Sequence, residues 1–128
     1  MIQFFVEGTP IPQGSMKHIG NGRMIHSRAT ELATWRALIA LAAKQAGCTP
    51  IDSPIIISMR FHLKRPKTVK RDHPTVPPDL DKLVRGVLDG LKNTAYSDDS
   101  QVIDIKASKV YSETPGVEIE ISTEFDCL

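Results

Sequence analysis

Residues 77–93 read PPDLDKLVRGVLDGLKN, and this stretch decides the fold. Leu80, Leu83, Val84, Val87, Leu88 and Leu91 fall at i, i+3, i+4, i+7, i+8 and i+11, the spacing of one apolar helix face. Pro77 and Pro78 block a helix upstream, and Asp79 is a natural cap at its start. The reading is an amphipathic helix over residues 79–93 that must lay its leucine face on something.

A partner surface lies just upstream. In residues 55–63, Ile55, Ile57, Met59, Phe61 and Leu63 alternate with Ile56, Ser58, Arg60 and His62, the period of a strand with one buried face. Between strand and helix, residues 64–78 (KRPKTVKRDHPTVPP) are too rich in proline and cations for helix or strand. They are expected as a loop, with disorder in the absence of a partner left open. Downstream, residues 93–100 read as a turn. Residues 101–111 and 117–123 read as two strands, joined as a hairpin at Thr114-Pro115-Gly116. Upstream, residues 2–7 (IQFFVE) are a strand ended by Gly8 and Pro10. Residues 10–21 are irregular, with a turn signal at Asn21-Gly22, and residues 23–26 are a short strand. From residue 29 to 46 the period becomes helical, with Leu32, Trp35, Leu38, Ile39 and Ala42 on one face. Ser27 or Thr30 is the expected cap and Gly47 the expected stop. The sum is one α+β domain over residues 1–128: a small mixed β-sheet with two α-helices packed on one face.

Composition narrows the class. The chain has 128 residues, 41% hydrophobic and 24% charged, which is ordinary for a soluble globular domain. No apolar run is long enough to span a membrane, and the first residues lack a signal-peptide pattern, so a cytoplasmic protein is expected. Cys48 and Cys127 have no metal-ligand spacing and read as two free thiols. The net charge of +1 does not by itself announce nucleic acid. The arrangement of the charges carries that argument.

Six of the 15 acidic residues are aspartates between positions 79 and 104: Asp79, Asp81, Asp89, Asp98, Asp99 and Asp104. On a helix Asp81, Arg85 and Asp89 lie within about 80° of arc, off the leucine face. A strand returning beside the helix start could carry Asp99 toward Asp79 and Asp81. Short carboxylates are hard ligands, and one or two of them plus phosphate oxygens suit Mg²⁺. Each also has a plain structural reading: Asp79 as a helix cap, Asp98 and Asp99 as turn residues, Asp89 as a solvated partner of Arg85 and Lys92. Leading into this helix is a cationic run, Lys64, Arg65, Lys67, Lys70 and Arg71. Lys17, His18, Arg23 and Arg28 form a second basic set. Cations beside a carboxylate cluster suit a phosphodiesterase acting on nucleic acid: they hold the backbone while the carboxylates hold a metal. The histidines His18, His26, His62 and His73 have no ligand spacing, and the chain carries no GxSxG, P-loop or GxGxxG motif.

The run Pro78-Asp79-Leu80-Asp81-Lys82-Leu83, then Arg85-Gly86-Val87-Leu88-Asp89-Gly90-Leu91, then Asp98-Asp99-Ser100-Gln101-Val102, resembles the RusA family of Holliday-junction resolvases. The stretches Gly8-Thr9-Pro10-Ile11-Pro12-Gln13-Gly14-Ser15 and Gly22-Arg23-Met24-Ile25-His26 are similar to the family's N-terminal, substrate-side region. The resemblance covers most of the chain. It implies a small dimeric endonuclease of recombination and repair, common in phages and prophages, that uses Mg²⁺ (or Mn²⁺) to cut branched DNA. It places the essential aspartates on Asp79, Asp81 and Asp99 and a further metal-side aspartate on Asp89. A functional lysine of the family falls on Arg85. Arginine keeps the charge and can clamp phosphate, but it cannot give up a proton. Lys82 stands where some members have asparagine, and joins Lys17, Arg23 and the loop cations as an expected DNA contact. The competing reading is a non-catalytic module that binds branched DNA through the same basic face.

Overall fold

A computed structural model describes residues 1–14, 16–19, 23–26 and 29–123; of residues 16–19 and 23–26 it describes the backbone alone. The order is β1 (Ile2–Glu7), β2 (Met16–Ile19), β3 (Arg23–His26), α1 (Ala29–Gln45), β4 (Ile55–Leu63), α2 (Leu80–Leu91), a 3₁₀ turn (Asp99–Gln101), β5 (Val102–Tyr111) and β6 (Gly116–Thr123). Four strands form one mixed sheet in the order β1-β6-β4-β5, and β2 and β3 form a separate antiparallel pair.

β4 is central because it is the strand with the most apolar surface to hide. Its alternation holds: Ile55, Ile57, Met59 and Phe61 are all but sealed from solvent, each burial contributing about 1.5–3 kcal/mol. Leaving β4, the chain passes through the 64–78 loop and α2 before returning as β5, parallel to β4. This is a βαβ crossover, so β5 runs opposite to α2 beneath it. β6 then pairs antiparallel with β4 and with β1. The expected β5–β6 hairpin therefore does not form. The short 112–115 connection steps across the end of β4, where Ser112 N donates to Leu63 O (2.9 Å). Placed between β1 and β4, β6 buries Val117, Ile119 and Ile121 in the main core. On the outer side of the half-exposed β5 these side chains would have no such cover.

Both helices serve the same core. Leu32, Trp35, Ile39 and Ala43 of α1 meet Leu83, Val87 and Leu91 of α2 above the inward residues of β1, β4 and β6. The opposite sheet face carries Gln3, Ser58, Arg60, Glu118 and Glu120. The α+β architecture with helices on one face is as expected, but Leu38 is not on the buried stripe of α1: it is 40% exposed. The stripe runs instead through Leu32, Trp35, Ile39 and Ala43, the tighter i, i+3, i+7, i+11 line. Thr30 lies inside α1, where its carbonyl accepts from the Thr34 hydroxyl (3.1 Å), and Ser27 lies outside the described residues. Gly47 does end the helix, at φ +99°, with Gly47 N on Lys44 O and Cys48 N on Ala43 O. Cys48 is buried and its thiol is pushed above its ordinary pKa by desolvation, an inert core residue. Cys127 lies outside the described residues.

The helices cross closely because α2 carries glycine where they meet. A Cβ on Gly90 would stand 3.0 Å from Ile39 Cβ, and one on Gly86 would stand 3.1 Å from Ile11 O. Through Gly86 the 10–14 segment also lies against α2, and Gln13 N donates to Lys82 O (3.0 Å). Residues 10–14 are irregular as expected. The sequence gives no strand signal for β2, yet Met16–Ile19 pairs with β3, Ile19 opposite Arg23; the connecting residues 20–22 lie outside the described set.

Candidate active site

Asp79 occupies the N-cap position of α2, with φ −69° and ψ 139°, but its side chain makes no capping hydrogen bond. The expected cap role is therefore positional only. The carboxylate is 56% exposed, and its ionic partner is Lys82 Nζ at 3.7 Å. Asp81 follows in the first turn, exposed, with no ion pair to any described residue. Two carboxylates thus stand at the mouth of α2 with their oxygens available.

Asp98 and Asp99, adjacent in sequence, have opposite assignments. Asp98 caps the 3₁₀ turn: Ser100 N donates to its Oδ1 (3.0 Å). That bond holds its carboxyl below the usual carboxylate range. Gln101 completes the box. Its Oε1 accepts from Ser97 N and Asp98 N (both 2.9 Å), and its Nε2 donates to Ile51 O (2.7 Å) and Ser53 O (3.0 Å). Asp98 and Gln101 are thus spent on fixing the turn. Asp99 is left with a buried Oδ1 that has no hydrogen-bond partner. Beside it the Tyr96 hydroxyl donates to Leu88 O (2.8 Å). Burial first, then the charge of the neighbouring Asp99 and that of Asp89, push the Tyr96 phenol far above its ordinary pKa. Tyr96 stays a neutral donor.

This fixes where Asp99 lies. Leu88 lies in the last turn of α2, Tyr96 is hydrogen-bonded to it from beyond the helix, and Asp99 lies beside Tyr96. A strand beside the helix start does exist, but it is the C-terminal end of β5. There Lys109 Nζ donates to Val76 O and Pro78 O (both 2.9 Å). Asp79 and Asp89 are ten residues apart, about 15 Å along the helix axis. Within one chain the structure does not gather Asp99 with Asp79 and Asp81, and no three His, Cys, Asp or Glu among the described residues stand close enough to hold a metal. The carboxylates form two groups: Asp79 and Asp81 at the start of α2, Asp89 and Asp99 toward its end.

Between them lies Arg85, exposed on the helix. It makes no ion pair with Asp81 or Asp89. Asp89 is taken by Arg36 Nη2 of α1 (3.8 Å), which also donates to Gln13 Oε1 (2.9 Å). Arg85 Nη1 lies beside Gly14 instead, 3.2 Å from where a Cβ would be. Gly14 has φ +90° and leaves room for the guanidinium.

Lys64, Arg65, Lys67, Lys70 and Arg71 are all exposed, and no described carboxylate pairs with them. The loop is nonetheless shaped: Arg71 Nε donates to Tyr111 Oη (3.0 Å), Arg65 Nη1 to Arg71 O (3.5 Å), and the Pro77-Pro78 bond is cis. Lys17 lies on β2 and Arg23 on β3; Arg28 lies outside the described residues. Sequence reasoning missed Gln13, Arg36, Lys109 and Tyr111. A signal existed for Lys109: in β5 it follows Ile105 and Ala107 at the inward parity, where a cation needs a partner.

The chain belongs to the RusA endodeoxyribonuclease family, whose model matches residues 7–122. The family is one of nucleases that act on branched DNA, the Holliday junction of recombination. The chain is also 35% identical to the uncharacterized protein YqaN of Bacillus subtilis (strain 168), over 94% of each chain. No helix among the described residues is long and apolar enough to cross a membrane.

Proposed function

We propose that this protein is a Mg²⁺-dependent endonuclease that resolves four-way junctions or related branched DNA by paired nicks, working as a homodimer. The observation that carries the reading is Asp79: an aspartate at a helix start that forgoes its cap bond, next to Asp81 and a loop of exposed cations, neither ion-paired with any described residue. Asp79 and Asp81 suit a divalent ion that takes one or two carboxylates and fills its shell with water and phosphate oxygens. Mn²⁺ would serve the same donors. When bound, the ion supplies an activated water and neutralises charge on the leaving oxygen. Arg85 offers a guanidinium to the phosphate from the next turn of the helix. Lys82 screens Asp79 in the absence of the ion and can contact DNA in its presence. Lys64, Arg65, Lys67, Lys70 and Arg71 hold the phosphate backbone, with Lys17 and Arg23 as further contacts.

Dimerisation draws support from β5. It is an edge strand whose Ile103 and Ile105 are 61% and 41% exposed. An open apolar edge invites pairing. Two copies aligned antiparallel about Ile105 would set Ile105 on Ile105 and Asp104 on Lys106, a self-complementary two-fold contact. In that register Gln101 of one copy faces Lys109 of the other, and Lys109 holds the carbonyl just before Asp79. Asp99 and Asp89 of one copy would then approach Asp79 and Asp81 of the second, which supports counting all four as metal-side residues.

A junction-cleavage assay with Mg²⁺ and with EDTA tests the proposal. Nicks in opposed strands that need the metal are expected. Tight junction binding with no metal-dependent nicking would favour the non-catalytic module. A phage or prophage setting is proposed with the endonuclease reading.

A further inference from the structure

Between the cationic loop and the end of β5 lies a slot of about 260 Å³, walled by Pro66, Pro74, Val76, Pro77 and the Tyr111 side chain. Lys64 and Arg71 are among the other residues that line it, and no carboxylate does. It opens beside a wider cavity of about 640 Å³, lined by Lys64, Arg65 and Lys67 and shared with it through Tyr111. Glu113 lines that wider cavity but not the slot. Two anchors keep the slot in shape. Arg71 Nε donates to the Tyr111 hydroxyl at 3.0 Å and its guanidinium stands 6.0 Å from the ring centroid. Lys109 fixes the carbonyls of Val76 and Pro78. Pro77 and Pro78 lead directly into Asp79.

We infer that this slot takes one unpaired nucleobase of the DNA substrate, next to the phosphate handled at Asp79 and Asp81. The inference rests on the nuclease reading above and adds to it a base-reading subsite with Tyr111 as its platform. Flat apolar walls and an aromatic ring suit the face of a base, and the cations suit the phosphate attached to it. An apolar peptide would need no cations, and a bare phosphate would need no proline wall. At about 260 Å³ the slot is small for a ligand pocket, which suits a single base. The base must already be out of the stack, as bases at a branch point can be.

The test is a four-way junction carrying 2-aminopurine singly at each position around the crossover, bound in EDTA so that no nick forms. Full-length wild-type protein should change the fluorescence at one position in each paired strand. Tyr111→Ala and the slot-filling Val76→Phe should both abolish that change while circular dichroism stays native; Tyr111→Phe, which keeps the ring, should retain it. In Mg²⁺, an abasic site at that position should slow wild-type nicking about 5- to 150-fold and leave Tyr111→Ala, already slow, unaffected. A signal that survives in both Tyr111→Ala and Val76→Phe overturns the slot even if cleavage is intact. A signal lost in both, in a protein that never nicks, upholds the slot and overturns the nuclease reading. No fluorescence change at any position overturns the slot.

Discussion

Two aspartates of this chain stand at the same structural position and do opposite work. Asp79 and Asp98 each precede the first residue of a helical segment with extended backbone angles. Asp98 turns its carboxylate onto Ser100 N and sits in a closed box with Gln101. Asp79 leaves the start of α2 uncapped by its side chain and presents a half-exposed carboxylate beside Lys82 and Asp81. Helix starts favour negative charge either way. What differs is the local alternative. The 3₁₀ turn must be closed where the chain reverses into β5. The start of α2 is already held by the Lys109 bonds to Val76 and Pro78, by Leu83 N on Asp79 O, and by the core beneath Leu83. One carboxylate maintains a turn; the other makes no cap bond and stands largely open to solvent beside Lys82.

Neutralising the carboxylates at the start of α2 should have the largest effect on cleavage. Asp79→Asn and Asp81→Asn should each lower metal-dependent nicking by about 10²-fold or more, since several kcal/mol of transition-state stabilisation passes through a bound ion. Thermal stability and junction affinity in EDTA should stay close to wild type. If Asp79→Asn unfolds the protein as readily as loss of a core residue, the contrast with Asp98 is wrong.

Arg85 extends the contrast along α2. Asp89 is paired by Arg36, so the surface ion pair that spacing alone would suggest for Arg85 is not made. We expect Arg85→Ala to cost about 10²–10³ in nicking rate with little change in affinity, because the charge it meets grows in the transition state. Arg85→Lys should recover much of the rate. If lysine is as inactive as alanine, the fork geometry of the guanidinium is required and charge alone is insufficient.

The structural side of α2 has its own marker. Gly90→Ala places a methyl 3.0 Å from Ile39 Cβ and should destabilise the fold by about 1–3 kcal/mol. The per-molecule nicking rate of what remains folded should hold. Urea titration alongside single-turnover cleavage separates the two. Removing the five loop cations should do the reverse: stability unchanged, affinity reduced for all sequences, and a salt dependence flatter by about 0.9 for each phosphate no longer neutralised.

Much of this is legible in the sequence, and for definable reasons. α2 and β4 carry strict periods, and burial enforces them, so periodicity alone places both to within a residue or two. The β5–β6 connection misleads because pairing is a choice among distant strands. Thr114-Pro115-Gly116 is turn-like, but it cannot reveal that β4 lies between the strands it connects. Leu38 reads as buried because apolar residues outnumber the inward positions of α1. The aspartate pattern is visible, yet only the structure shows which of the two adjacent carboxylates, Asp98 or Asp99, reaches Ser100 N, a matter of backbone angles. Lys109 is readable only with β5 correctly registered against β4, where it lies opposite Phe61.

The capping aspartate allows the smallest and most specific measurement. Hydrogen bonding from Ser100 lowers the Asp98 pKa in the folded protein, while the unfolded chain keeps a value near about 3.9. The folded state thus binds its proton less readily, so the charged cap stabilises the fold wherever the unfolded carboxylate is ionised. That contribution is fully present above the unfolded value and is lost as pH falls through the lower, folded one. Asp98→Asn retains an acceptor for Ser100 N but not the charge. The variant should be slightly less stable than wild type at neutral pH, and the gap should close below about pH 3.9. Asp98→Ala, which loses the acceptor as well, should remain less stable than wild type across the whole range. A wild-type-to-Asn gap that stays constant from pH 7 to pH 2 would show that the charge on Asp98 does not stabilise the turn. The division of labour between the two helix starts would then need another cause.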